Sequence, residues 1–178
     1  MQSFRLKSDR IVNFEATANG TIVNVKPDFS RATTPYFIFK DVNGQFLISN
    51  SESIDSDNQN DYATVVFTYV PPNRLPLVGE TLYLSGSLTN NVLDETSEMK
   101  FNAVTRAYQK SLLLKQGYYS YSYILRDKTA PDPMLDFNET EGDHWETENA
   151  YSIFIYYRPP GTRHDHLIGF TTVHSNQY

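Results

Sequence analysis

The chain has 178 residues, a formal charge of −6, 39% hydrophobic and 20% charged residues, and no cysteine. Length and balance describe a folded chain with its own core, and the acidic sign argues against a nucleic-acid or anionic-membrane partner, both of which attract a basic surface. Without cysteine there can be no disulfide, thiolate nucleophile or cysteine-ligated zinc.

The opening "MQSFRLKSDR" lacks the apolar run of a signal peptide, and nowhere does an apolar stretch reach the roughly 20 residues of a spanning helix. "IVNFEATANGTIVNVKP" and "YFIFKDVNGQFLI" each carry Asn-Gly (Asn19-Gly20, Asn43-Gly44) between apolar stretches. Asn and Gly tolerate the positive φ of a type I′ turn, so both segments read as hairpins. "SESIDSDNQND" then brings acids without a base, a polar connector. In "DYATVVFTYV", Ala63, Val65, Phe67 and Tyr69 share one strand face, and "PPNRLP" ends the strand. "GETLYLSGSL" supplies another strand, with Leu82 and Leu84 on one side. The segment from Ser97 to Leu114 fits two patterns: a helical stripe through Met99, Ala103, Ala107 and Leu114, or two strands turning near "NAVT".

"KQGYYSYSYIL" alternates so that Tyr119, Tyr121, Tyr123 and Leu125 share one face, leaving Tyr118, Ser120, Ser122 and Ile124 on the other. Three such tyrosines present roughly 450–750 Å², against the roughly 300–600 Å² of the largest patch on a typical monomer. The large face is therefore expected inside and the small polar face outside, with Tyr118 the one outward ring. "NAYSIFIYYR" is β-branched or aromatic on both faces, the pattern of a strand covered from both sides, and "HLIGFTTV" reads as a closing strand. Short strands at roughly ten-residue spacing with no firm helix give an all-β sandwich.

Between these strands lies a long loop whose 132–148 portion holds seven acids (Asp132, Asp136, Glu139, Glu141, Asp143, Glu146, Glu148) and no Lys or Arg. Acid runs are ordinarily solvated. Pairing Glu141 or Glu146 with Glu148 for hydrolysis uses nothing that another acidic loop would lack. His164 and His166 could hold two positions of a metal, but no clear third ligand accompanies them. Asp55, Asp57 and Asp61 lack the Gly and Glu of an EF-hand loop. No nucleophile elbow or phosphate loop occurs. The residues point to no enzyme, no metal and no cofactor.

"LLLKQGYYSYSYIL", Glu141-Gly142, Thr147-Glu148-Asn149, Tyr156-Tyr157-Arg158 and Arg163-x-Asp165-x-Leu167-Ile168-Gly169 occur in an order that resembles the C-terminal part of the type IX secretion system plug proteins. "DVNGQF" and "DYATVVFTY" extend the resemblance to about residues 36–175. His164 and His166 stand where that pattern has Tyr and Arg. The resemblance implies strands in the 97–114 segment. It also implies a non-enzymatic periplasmic protein that closes or gates a large outer-membrane translocon, with this chain expected to be part of a longer exported protein. "TLYLSGSLTN" through "GYYSYSYIL" is further similar in layout to early-set immunoglobulin domains related to glycogen-binding modules, so a carbohydrate-binding module is the alternative.

The expected architecture is thus an all-β, immunoglobulin-like (early-set) sandwich over residues 59–178, preceded by a β region at 1–58 that ends another β domain. Partner contact is expected through loop 127–149 and the "YRPPGTRHD" turn. Trp145 would be the aromatic anchor, Tyr118 a second ring, and Arg158 and Arg163 bidentate partners for carboxylates, unless these arginines pair internally with Glu148 or Asp165.

Overall fold

The computed structural model describes residues 2–4, 9–18, 20–35, 45–48, 62–129, 135–144 and 149–175. It is all-β, and among these residues the helical structure is a single 3₁₀ turn, Ser87–Thr89. Two compact units divide it: Met1–Thr34 with Ile38–Asp143, and Pro35–Phe37 with His144–Tyr178.

The first unit holds eleven of the strands. β2 (Ile11–Thr17) and β3 (Gly20–Val25) form the expected first hairpin; Gly20, at φ 120°, sits where the chain reverses, and Asn19 lies outside the described residues. Pro27, which has no N–H to give a ladder, separates β3 from the two-residue β4 (Asp28–Phe29). Both run parallel to β6 (Tyr62–Val70), β3 along Ala63–Val66 and β4 along Tyr69–Val70. β9 (Ala107–Lys115) pairs antiparallel with the other side of β6, and β8 (Lys100–Asn102) closes that six-stranded sheet. The 97–114 segment is therefore strands turning at residues 103–106, with Arg106 at φ 52°.

A second sheet is built around β10 (Gly117–Asp127), which pairs antiparallel with β1 (Gln2–Phe4), β5 (Phe46–Ile48), β7 (Glu80–Ser85) and β11 (Leu135–Asp136). β5 comes from the second expected hairpin, whose Asn43-Gly44 turn lies outside the described residues, as do Asp55, Asp57 and Asp61. Strands on both sides of residue 58 thus share both sheets, and the compact unit runs on to Asp143, where the sequence suggested a division between 1–58 and 59–178. Ladder bonding to β6 and β10 is what joins the early strands to the rest.

The sheets pack face to face through the alternation read from sequence. Val65, Phe67 and Tyr69 of β6 and Tyr119, Tyr121, Tyr123 and Leu125 of β10 are buried. Phe67 meets Tyr121 edge to face at 5.0 Å, and Tyr69 meets Tyr123 at 4.9 Å, separations at which aromatic pairs attract beyond simple burial. Leu82, Leu84 and Met99 complete the core. The other face of β10 is more covered than its small polar residues suggested: Ser120 and Ile124 are buried. Ile124 stands opposite Tyr83, so an apolar cross-strand pair shelters that side.

The second unit holds a two-stranded antiparallel hairpin of β12 (Ala150–Tyr157) and β13 (His166–His174), with a bulge at Ile168. Here the expectation of cover on both faces fails: every described residue of β12 is exposed. The apolar pattern is there on both faces, and among the described residues β13 is the one strand paired with β12.

Candidate protein-interaction site

In the sandwich, the charged chemistry is turned inward. Asp28 stands opposite Tyr69 on the inward face of β6 and is buried. Its Oδ2 accepts hydrogen bonds from the hydroxyls of Tyr121 (2.9 Å) and Tyr123 (2.7 Å), and its Oδ1 accepts one from Arg10. Arg10 also donates to the Tyr121 hydroxyl at 3.1 Å. Tyr119, the third inward tyrosine, donates to the Lys115 carbonyl at 2.6 Å. All three inward hydroxyls are therefore satisfied, which a buried polar group requires. Burial opposes the charge on Arg10, but Tyr121 and Asp28 outweigh it and raise its pKa further. Burial, reinforced by Asp28, pushes the Tyr121 and Tyr123 hydroxyls well above their ordinary range. The cluster ties the two sheets together and offers no open reacting group.

A large part of the proposed docking loop is also structural. The Thr140 hydroxyl donates to the Tyr123 carbonyl at 2.7 Å, and Glu141 Oε1 accepts from the Tyr123 N–H at 3.1 Å. Arg31 pairs with the other Glu141 oxygen at 2.7 Å, the Arg31 N–H reaches the Thr140 carbonyl, and Ser30 bonds the Glu139 carbonyl. Gly142, at φ 84°, ends the turn with its N–H on the Phe137 carbonyl. Residues 137–142 thus strap β10 to the segment after β4, and Glu141 has a structural task in place of the hydrolytic one considered for it. Glu146 and Glu148 lie outside the described residues.

The four residues singled out for partner contact fall as follows. Tyr118 is half-buried on β10 opposite Leu47 of β5. Trp145 lies outside the described residues. Arg158, where β12 ends, makes a bidentate pair with Asp165 (2.7 and 3.0 Å), the internal pairing considered from sequence. Arg163 in the same turn is exposed. His164 and His166 stack on each other at 4.9 Å, and among the described residues no group of three or more His, Asp or Glu could hold a metal.

What the sequence reading missed is the exposure of the hairpin. Ten large apolar side chains of β12 and β13 are each 47–63% exposed. Tyr151, Ile153, Ile155 and Tyr157 share one face with Val173; Phe154, Tyr156, Leu167 and Phe170 share the other, where the Phe154 and Phe170 rings meet at 5.1 Å. At roughly 150–250 Å² for each fully exposed large side chain, this leaves on the order of 500 Å² of apolar surface on each face, towards the upper end of the roughly 300–600 Å² of the largest patch on a typical monomer. Elsewhere, Phe29, Ala32, Val70, Pro71 and Pro72 line an open groove of about 500 Å³, edged by Arg74 and Glu139.

These features define an all-β sandwich protein with a separate apolar hairpin. No protein-family model matches the chain, and no curated protein matches it. Among solved structures it is similar to a hypothetical protein from Parabacteroides merdae ATCC 43184, with 36% identity and a TM-score of 0.87 over 97% of this chain and 44% of that one. The chain thus spans less than half the length of that protein.

Proposed function

We propose that this chain is a non-enzymatic protein-interaction module that seats on, and so plugs or gates, the outer-membrane translocon of the type IX secretion system from the periplasmic side. The observation that carries the docking part is the hairpin, whose apolar side chains are exposed on both faces. Apolar side chains left exposed on both faces of one hairpin are what a protein-contact site presents. The translocon as partner comes from the sequence resemblance, whose Tyr156-Tyr157-Arg158 and Arg163-x-Asp165-x-Leu167-Ile168-Gly169 strings fall on this hairpin and its turn. The action is steric. The hairpin faces supply area, while exposed Arg163 can engage a carboxylate at the turn.

Affinity isolation of the tagged protein from its native envelope tests this, alongside a version carrying Tyr156→Ser and Phe170→Ser. The wild type is expected to recover a large outer-membrane translocon, and the variant to lose it by on the order of tenfold. Absence of any translocon, together with binding on a polysaccharide array, would replace this reading with the carbohydrate-binding module.

A further inference from the structure

We propose that the groove beyond β4 and β6 binds a polyproline II peptide segment in which an apolar side chain is flanked by one acid and one base. The groove forms where two chains part. Phe29 and Val70 stand opposite each other at the last rung of the β4–β6 ladder. Pro71 and Pro72 follow, and neither has the N–H that would carry the ladder on. The two chains then become walls around about 500 Å³. That volume lies within the roughly 300–1,000 Å³ of ligand sites, which share this pattern of apolar lining with a few polar groups. Both walls are braced in advance. The Ser30 hydroxyl and the Arg31 N–H bond the Glu139 and Thr140 carbonyls, and the Thr34 N–H bonds the Arg31 carbonyl at 2.9 Å. On the other wall the Arg74 N–H closes a turn on the Pro71 carbonyl at 3.0 Å. Walls fixed in this way lower the ordering cost of binding.

The charges define the ligand. Glu139 belongs to the first wall through its bond to Ser30, and Arg74 to the second through its bond to Pro71; both are exposed. Arg74 also holds φ 53°, where glycine would sit more easily, and non-glycine residues kept in that region recur at ligand clamps. A fatty acid or a nucleotide carries charge of one sign, so it satisfies Arg74 and meets repulsion from Glu139. A neutral sugar engages neither charge. A peptide carries both signs. In polyproline II geometry, with about three residues per turn, successive side chains point to one wall, the floor and the other wall. Phe29, 57% exposed, and Pro72 give the floor the aromatic and proline surface on which such segments dock. The groove belongs to the first compact unit and the hairpin to the second, so failure here leaves the docking reading of the hairpin standing.

The test is amide chemical-shift mapping of the full chain with three peptides, acetyl-Pro-Glu-Leu-Lys-Pro-amide, acetyl-Pro-Glu-Leu-Glu-Pro-amide and acetyl-Pro-Lys-Leu-Lys-Pro-amide. The wild type is expected to shift at residues 29–34 and 70–74 and to prefer the mixed-charge peptide by on the order of tenfold, because like charges set together are what rejects a wrong partner. Arg74→Glu makes both walls acidic and should move the preference to the Lys-Leu-Lys peptide. Glu139→Arg makes both basic and should move it to Glu-Leu-Glu. A gain of binding by a variant also shows that it has folded. Absence of shifts in the groove with every peptide up to about 5 mM, beyond the weakest useful affinity, overturns the proposal, and a groove filled by another stretch of this chain would give that result. A wild type that prefers a like-charged peptide, or a preference that neither substitution moves, overturns it as well.

Discussion

Asp28 and Tyr123 are 95 residues apart in the chain and 2.7 Å apart in the core, where the tyrosine hydroxyl of one sheet donates to a carboxylate of the other. With Tyr121 and Arg10 on the same carboxylate, this contact is a polar tie between otherwise apolar faces. Deleting one member of a buried ion pair strands its partner and costs roughly 3–5 kcal/mol. Asp28→Ala should therefore lower unfolding stability by about that much. Tyr123→Phe should cost roughly 1.5–3 kcal/mol, as for other hydrogen bonds to charge. Urea unfolding followed by tryptophan-independent far-UV dichroism measures both, and a neutral Asp28→Ala would show the tie to be dispensable.

Alkaline pH should dissolve the core. Burial pushes Tyr69 and Tyr119 from 10.0 up to about 12, and pushes Tyr121 and Tyr123 up as well. A tyrosine whose pKa is higher folded than unfolded contributes stability that is complete below the unfolded value and lost as pH rises through the folded one. Stability should thus fall between about pH 10 and pH 12. Phenolate absorbance should rise in two stages, exposed tyrosines first and these four together with loss of the fold. A single smooth titration with the fold intact would contradict the buried placement.

Acid pH should relieve a strain at the far end of the same sheet. Glu80 lies opposite Asp127 in the β7–β10 ladder. Burial, then Glu139, Asp136 and Asp127, raises its pKa. A raised carboxylate costs stability when ionised, and that cost disappears as pH falls through the folded value. Glu80→Gln should stabilise the protein at pH 7 by roughly 0.2–1 kcal/mol, the scale of like charges across strands, and by less in high salt. The gain should shrink towards pH 4, which paired urea midpoints would reveal.

Gly117 marks a close approach of backbones. A Cβ there would meet the Leu47 carbonyl oxygen at 2.6 Å, and because that atom is backbone it cannot simply swing aside. Gly117→Ala should open the β5–β10 pairing at a cost of roughly 1–3 kcal/mol. Amide exchange should speed up at Phe46–Ile48 while β6 and β9 keep their protection.

The alternation of β6 and β10 is legible in the sequence because a strand facing another sheet must place its large residues two apart. Three inward tyrosines in place of phenylalanines also signal that hydroxyl acceptors wait inside. Which residues accept is not legible: Asp28 looks like any loop acid until Pro27 breaks β3 and sets it opposite Tyr69. Glu141 likewise looks like one of seven solvated acids, and only the fold brings it to the Tyr123 N–H. The hairpin shows the opposite limit. An apolar pattern on both faces of "NAYSIFIYYR" states that cover is needed, and cannot state whether the same chain provides it.

Hydrogen exchange on the protein with and without the proposed partner, a detergent-solubilised outer-membrane translocon, reports whether the hairpin is the docking element. Slowed exchange is expected to concentrate in residues 150–174, spanning β12, the turn with Arg163, and β13. Unchanged exchange there, or protection confined to the 137–142 strap and the groove beside Pro71, would contradict it.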